Sequence, residues 1–397
     1  MSTTGKRLSR RRFAALAGAA VAGAPFVNLG TYRLFADSPA VYSDRAITLV
    51  NESLVMDMLS LLDMGRLFQA ATTGSDPFSF TREELLAVRD SGIDVFHPAT
   101  GLGGPEAAVD VLTHMAGYNG LIAEHPDLLM RIDSVADLDA VRANGKIGIV
   151  LGVQNSEHFR TTDDIKRYYY VGQRISQLTY NTQNLIASGS TDRADGGISD
   201  YGATVVAAMN AIGMAVDVSH CGDRTTLDAF SLSTKPVLVT HSNCRALAPG
   251  HPRCKTDEAI EKMAAKGGVM GVTAVRNFVT LEEPTTIEHY IDQIDHIARL
   301  VGIEHAGIGT DADLAGYDAL PPEIYDQLKA GYKSSYAFRD KIDIEGLDHP
   351  RKMYDLTEGL IRRGYRDANI RAVLGENFRR ALGEIWVSCE NKEQSDA

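Results

Sequence analysis

Two histidines stand where apolar runs stop. The stretch "MAVDVSHCGDRT" carries Val216 and Val218 into Ser219-His220, and "KPVLVTHSNCRAL" carries Val237, Leu238 and Val239 into Thr240-His241. A neutral imidazole at the end of a buried strand can ligate a divalent cation, and two on neighbouring strands can converge on one ion. Other apolar runs also end on polar groups: Asp57, His97, Gln154, Tyr180 and Asp311. A carboxylate from the last run, Asp311, can complete or support such a site. His97 can be a replacement ligand, an acid or base, or a hydrogen-bonded pocket residue. Tyr180 with Asn181 and Asn184 can bind a polar substrate or simply pack. Asp217, inside its run, can orient a neighbouring group as outer carboxylates do.

The elements that would position these groups repeat along the chain. Short apolar runs bounded by turns predict strands at 53–57, 93–99, 146–153, 175–180, 214–220, 236–242, 267–274 and 305–313. Helical patterns lie between most of them. The segment 81–92 starts on Thr81 with Glu84 three residues later and stops at Gly92; 257–268 and 285–302 behave likewise. Near-continuous apolar strands alternating with helices imply a parallel sheet covered by helices. Eight such units predict a (β/α)8 TIM-type barrel, in which every strand's C-terminal end opens on one functional face. The long segment 314–350, which follows Asp311, is expected to cover that mouth. His114, His125, His158, His289, His296 and His305 fall in helices or loops and read as surface groups.

The chain has 397 residues and a net charge of −12. The first 36 residues carry Lys6, Arg7, Arg10, Arg11, Arg12 and Arg33 and no acid, so the remainder is more acidic still. An acidic body without a basic stripe argues against a nucleic-acid partner. The basic start, the Ala/Gly-rich stretch after it and Ser9-Arg10-Arg11-Arg12-Phe13 resemble a twin-arginine export signal, with cleavage near Ala36. The expected organisation is a leader at 1–36, a single barrel domain at 37–397, periplasmic or secreted localisation and no membrane span after leader removal. Cys221, Cys244, Cys254 and Cys389 form no C-x-x-C pair. Buried free thiols are the simpler reading for Cys221 and Cys244; thiolate ligation is the other.

The motifs "VDVSHCGDRT", "VTHSNCRAL" followed by "HPRCKTDE", "GGVMGV", "HAGIGTDAD" and "VLGENFRRAL" resemble the membrane (renal-type) dipeptidase family, peptidase family M19, over residues 50–385. The resemblance implies a metallo-dependent hydrolase barrel with two zinc ions sharing a bridging carboxylate, and cleavage of dipeptides by metal-activated water. His220 and His241 match the two histidines of one zinc. Arg253 matches the arginine that grips the substrate carboxylate, a task suited to its planar fork of donors. Asp311 matches an aspartate that touches the other metal and the substrate amine. The family is often dimeric, so a homodimer is among the partners it allows.

Three matches fail. The family's first strand ends Asp-x-His-x-Asp; here "VMDMLSLLDM" keeps Asp57 but puts Leu59 and Leu61 at the ligand positions. The bridging glutamate is Gln154, a weak neutral donor, and a substrate-facing histidine is Tyr180. These departures agree with the loss of one metal site. They predict one Zn2+ rather than two, held by His220 and His241, with Gln154, Asp57, Asp311 or water as weaker help. The expected function is hydrolysis of a dipeptide or related small amide. The alternatives are a mononuclear relative acting on another amide, ester, lactam or exported metabolite, and an inactive ligand-binding barrel.

Overall fold

The computed structural model describes residues 31–32 and 41–387. The expected leader, apart from Thr31–Tyr32, and Cys389 lie outside the described residues. Eight parallel strands form the centre: β1 Met56–Asp57, β2 Val95–Phe96, β3 in two pieces at Ile147–Ile149 and Gly152–Val153, β4 Ile175–Gln177, β5 Ala215–Asp217, β6 Val239–Ser242, β7 Met270–Val272 and β8 Ala306–Ile308. Each falls inside a run predicted from the sequence.

Parallel ladders join β1–β2–β3, β3–β4–β5 and β6–β7–β8. Val218 N donates to Leu238 O at 3.0 Å and links β5 to β6. Met58 N donates to Ile308 O at 2.9 Å and links β8 back to β1. The hydrogen bonds therefore run in a ring. Leu129–Arg131, which the sequence reading missed, adds a parallel strand beside the first piece of β3.

Period-two alternation decides what enters the ring. Met56, Val95, Val150, Ile175, Ala215, Leu238 and Val269 join one apolar cluster with Phe378, Ala381, Leu382 and Ile385 of the helix Asn377–Ile385, which plugs the floor. Two residues further along the same strands stand His97, Gln177, Asp217 and Thr240, so a polar layer lies above the apolar one. The opposite faces pack on the surrounding helices. The predicted caps hold locally: Thr81 and Glu84 form a reciprocal capping box at the helix Arg82–Arg89.

Alternation sends Asp57 to the helix side, paired with Phe96 in the register. Its Oδ1 accepts from Thr310 N at 2.8 Å, and its Oδ2 accepts from Thr310 Oγ1 at 2.6 Å. Burial raises its pKa to about 6, against the opposing pull of the Lys352 ammonium. Asp57 thus ties β1 to the end of β8 instead of reaching the mouth.

Two further expectations need correction. His114 and His158 are buried, not surface groups. His114 lies on the helix Ala107–Glu124 against Phe78 and Tyr118, and burial lowers its pKa to about 4. His158 Nε2 lies 3.0 Å from Gln173 Oε1, with the ring edge-on to Tyr168. A histidine has an apolar ring body, so it packs like an aromatic among buried rings, on the helix for His114 and in a turn for His158.

The Asp57 clamp generates a test. Asp57→Ala leaves the Thr310 N–H and hydroxyl without their acceptor and should lower unfolding free energy by about 2–4 kcal/mol in urea titrations. A change below about 0.5 kcal/mol would show that the clamp contributes nothing to closure.

Candidate functional site

The two strand-end histidines meet. His220 Nε2 and His241 Nε2 lie 2.8 Å apart, both rings buried. Each ring has its other nitrogen occupied. His220 Nδ1 is 2.7 Å from Asn181 Oδ1, and His241 Nδ1 is 2.8 Å from Thr240 Oγ1. The Thr240 hydroxyl donates to Asp217 Oδ2 at 2.7 Å, so it is left to accept from His241 Nδ1–H. The Tyr336 hydroxyl donates to Asn181 Oδ1 at 3.1 Å, which marks that oxygen as the acceptor for His220 Nδ1–H. With both Nδ1 atoms protonated, both Nε2 atoms carry lone pairs, and those lone pairs face each other.

The electrostatics keep them unprotonated. Burial is the largest influence on both rings, followed by the Arg253 guanidinium, and it pushes both pKa values well below the usual histidine range. Burial and the Arg253 charge thus both disfavour a second proton on either ring. A cation shared between them would relieve the opposed lone pairs, and neutral imidazole is the ligating form.

The elements that hold the pair are themselves tied together. Asp217 Oδ1 accepts from Ser219 N at 3.0 Å, Ser219 Oγ at 2.6 Å and Thr240 N at 3.1 Å, so one carboxylate fixes both strand ends. The orienting role expected of Asp217 is thus visible in its contacts. Arg253 sits behind them, fully buried. It donates to Ser219 O, to His241 O at 3.2 Å and to the Tyr336 hydroxyl at 3.2 Å. Three of its five N–H donors are therefore engaged by the histidine-bearing segments and the covering loop. Lys255 extends the brace: its Nζ donates to Val218 O at 2.7 Å and Cys221 O at 3.0 Å. Sequence reasoning passed over Lys255 and Thr240; the only signal was their closeness to Arg253 and His241.

A chamber of about 310 Å³ opens beside the pair, walled by Leu59, Leu61, Met64, Gln154, Tyr180 and Asp311 among others. A second space of about 30 Å³ reaches His220 and shares Tyr180, Asp311, Tyr317, Leu328 and Tyr332 with the first. Tyr180 stacks on His220, ring centroids 4.3 Å apart and planes 27° from parallel. Its hydroxyl is 2.7 Å from that of Tyr332. Gly101 is needed for this packing, because a Cβ there would stand 2.7 Å from the Tyr180 ring. Tyr332 and Tyr336 come from the segment 314–350, which lies over the mouth as expected and adds a helix at Pro322–Ala330. No spacing rule could have selected these two tyrosines.

Asp311 and Asn181 both take left-handed backbone conformations, with φ of 52° and 61°. Asp and Asn tolerate that region better than other non-glycine residues, and such outliers gather at functional sites. Burial raises the Asp311 carboxyl to about 7, in spite of the nearby Arg253 charge. It can therefore hold or release a proton near neutrality.

The remaining candidates are dispersed. His97 Nδ1 is 2.8 Å from Met58 O, and its Nε2 has no partner in the polar layer against Gly152. Gln154 donates through Nε2 to Ala99 O at 2.8 Å, leaving Oε1 without a partner in the chamber wall. Asn184 is committed to its own loop: it donates to Asn155 Oδ1 and Leu178 O and accepts from Ile186 N. The buried thiols of Cys221 and Cys254 are pushed up to about 11 and about 12, the wrong direction for thiolate ligands. No cluster of three or more His, Cys, Asp or Glu suited to a metal occurs among the described residues. Nor is any described helix long and apolar enough to cross a membrane.

The profile of the membrane dipeptidase family, peptidase family M19, matches residues 79–330. The chain is 29% identical over 280 residues to dipeptidase verJ of Clonostachys rogersoniana, covering 70% of this chain and 65% of that protein. It is 34% identical over 212 residues to an uncharacterized dipeptidase of Schizosaccharomyces pombe, 51% of each. The chain thus spans less than two thirds of the length of either relative. A crystal structure of an amidohydrolase from Pseudomonas aeruginosa superposes with a TM-score of 0.73 at 29% identity, covering 86% of this chain and 99% of that one.

The Asp311 carboxyl gives a pH signature. Its folded pKa of about 7 lies above the ordinary 3.8, so the folded chain binds this proton more tightly than the unfolded chain does. In EDTA-treated protein its contribution to stability should be full below about pH 4 and be lost as pH rises to about 7. Asp311→Asn should flatten that interval relative to wild type in pH-dependent urea unfolding. Identical slopes for the two proteins would rule out the raised pKa.

Proposed function

Because the chain belongs to the membrane dipeptidase family, peptidase family M19, we propose that it hydrolyses a dipeptide or related small amide with one zinc ion, after export by the twin-arginine route. The observation that carries this reading is the pair of Nε2 lone pairs facing each other at 2.8 Å. The family's binuclear centre does not fit this chain: Leu59 and Leu61 offer no donor atom, and Gln154 brings no charge to bridge two ions. For a single ion, His220 and His241 are the two holders brought together; Asp311 lines both spaces but does not cluster with them as a third ligand. When bound, zinc supplies Lewis-acid polarisation of a carbonyl and lowers the pKa of water.

The chain's own residues do the rest. Asp217, through Thr240, and Asn181 fix the imidazole tautomers. Arg253 and Lys255 brace the strand ends by holding their carbonyls. Tyr180 and Tyr332 screen His220 from bulk water. Asp311, whose carboxyl burial raises to about 7, is the group suited to give a proton to a departing amine. Arg253 lines neither space, so gripping a substrate carboxylate would require it to be uncovered and would draw on the N–H donors left free by Ser219, His241 and Tyr336. The apolar wall of Leu59 and Leu61 favours a second reading, a barrel that binds a ligand without turning it over.

Metal analysis of protein purified in zinc, with a dipeptide panel, separates these readings. The proposal expects one equivalent per chain and turnover lost in His220→Ala. Two equivalents would restore a binuclear centre; none, with no turnover, would favour the binding barrel. The tautomer argument has its own check. Thr240→Val removes the acceptor for His241 Nδ1–H and should weaken zinc binding about 10–100-fold, while Thr240→Ser should stay close to wild type. Equal affinities in all three proteins would refute it.

A further inference from the structure

We propose that the chamber walled by Leu59 and Leu61 is the receptor for one bulky apolar group of the substrate, aromatic or branched aliphatic, whose polar end alone reaches His220. This deepens the function proposed above by naming the substrate class, and it rests on that reading only in taking the bound molecule to be the substrate.

Three observations carry it. The first is composition: among the described residues lining the chamber, Asp311 alone is charged, while Leu59, Leu61, Met64, Leu67 and Leu328 supply aliphatic surface. Polar groups are present too, Gln154 and the tyrosine hydroxyls among them, but the positions of Leu59 and Leu61 offer methyl groups where a cation would need donors. The second is size. The chamber of about 310 Å³ lies at the lower end of the range for small-molecule sites. The adjoining space at His220, about 30 Å³, matches the room taken by a single water-sized group. The third is adjacency: the two spaces share Tyr180, Asp311 and Tyr332 as walls, so one molecule fills both, apolar group on one side and a small polar group on the other, once the Tyr180–Tyr332 hydroxyl pair parts. Two long polar side chains on one substrate would leave buried polar atoms against leucine, and the geometry selects against them.

The test uses metal-free protein, so that its outcome is independent of the zinc reading. EDTA-treated wild type is titrated with toluene, indole and acetamide by calorimetry and ligand-observed NMR. Toluene and indole should bind saturably and acetamide should not. Leu61→Asp, which places a charge in the wall, and Leu328→Trp, which fills the space from the covering helix, should each weaken both aromatic probes at least tenfold. If Leu61→Asp does not fold, Leu328→Trp decides alone. In zinc-loaded protein, KM for dipeptides with a Phe or Leu side group should then rise in Leu328→Trp with less change in kcat. Absence of saturable aromatic binding, or binding unchanged in Leu328→Trp, overturns the proposal. Aromatic binding in protein that takes up no zinc would sustain it while removing the hydrolytic reading.

Discussion

Two acceptor atoms that ought to repel, His220 Nε2 and His241 Nε2, are held 2.8 Å apart in a buried setting. Opposed lone pairs at that separation are unfavourable unless a positive charge lies between them. Burial and the Arg253 charge disfavour a second proton on either ring. The surrounding protein also fixes which nitrogen of each ring faces inward. Much of the site can be read as the scaffolding for this one juxtaposition. Asp217 binds Thr240, Thr240 receives His241, Asn181 receives His220, and Tyr336 secures Asn181 from the covering segment.

The scaffold is made of strand ends that must not slip. Two aspartates perform the same operation at different places in the ring. Asp217 accepts from the backbone N–H and hydroxyl of Thr240 on β6, and Asp57 does the same with Thr310 just beyond β8. A carboxylate that bridges neighbouring strands through a threonine fixes their relative register at the C-terminal edge, where a shift of one residue would turn every functional side chain away. The first clamp sets the histidine pair. The second sets the segment on which Asp311 adopts its left-handed conformation.

Much of this was legible in the sequence. All eight strands lie within their predicted runs because each is a short apolar segment closed by a turn, and the capping box at Thr81 marked its helix without ambiguity. The histidine pair was legible for the same reason: both residues stand two steps past an apolar run. What escaped was side-chain direction. Asp57 ends a strand, but its register with Phe96 turns it toward the helices. Asn184 has the right chemistry but is committed to its loop. Tyr332 and Tyr336 arrive from a segment distant in sequence, and no local period announces them. Leu59 and Leu61 could be read as lost ligands, but their second property, walling a chamber, required the fold.

On the function proposed here, the chain keeps one half of its family's metal apparatus and puts aliphatic surface in place of the other. Anomalous diffraction at the zinc edge, from crystals grown with zinc, addresses that claim directly. The account predicts one peak within about 2.1 Å of both His220 Nε2 and His241 Nε2. Two peaks, with the second beside Leu59 and Leu61, or no peak between the imidazoles, would contradict it.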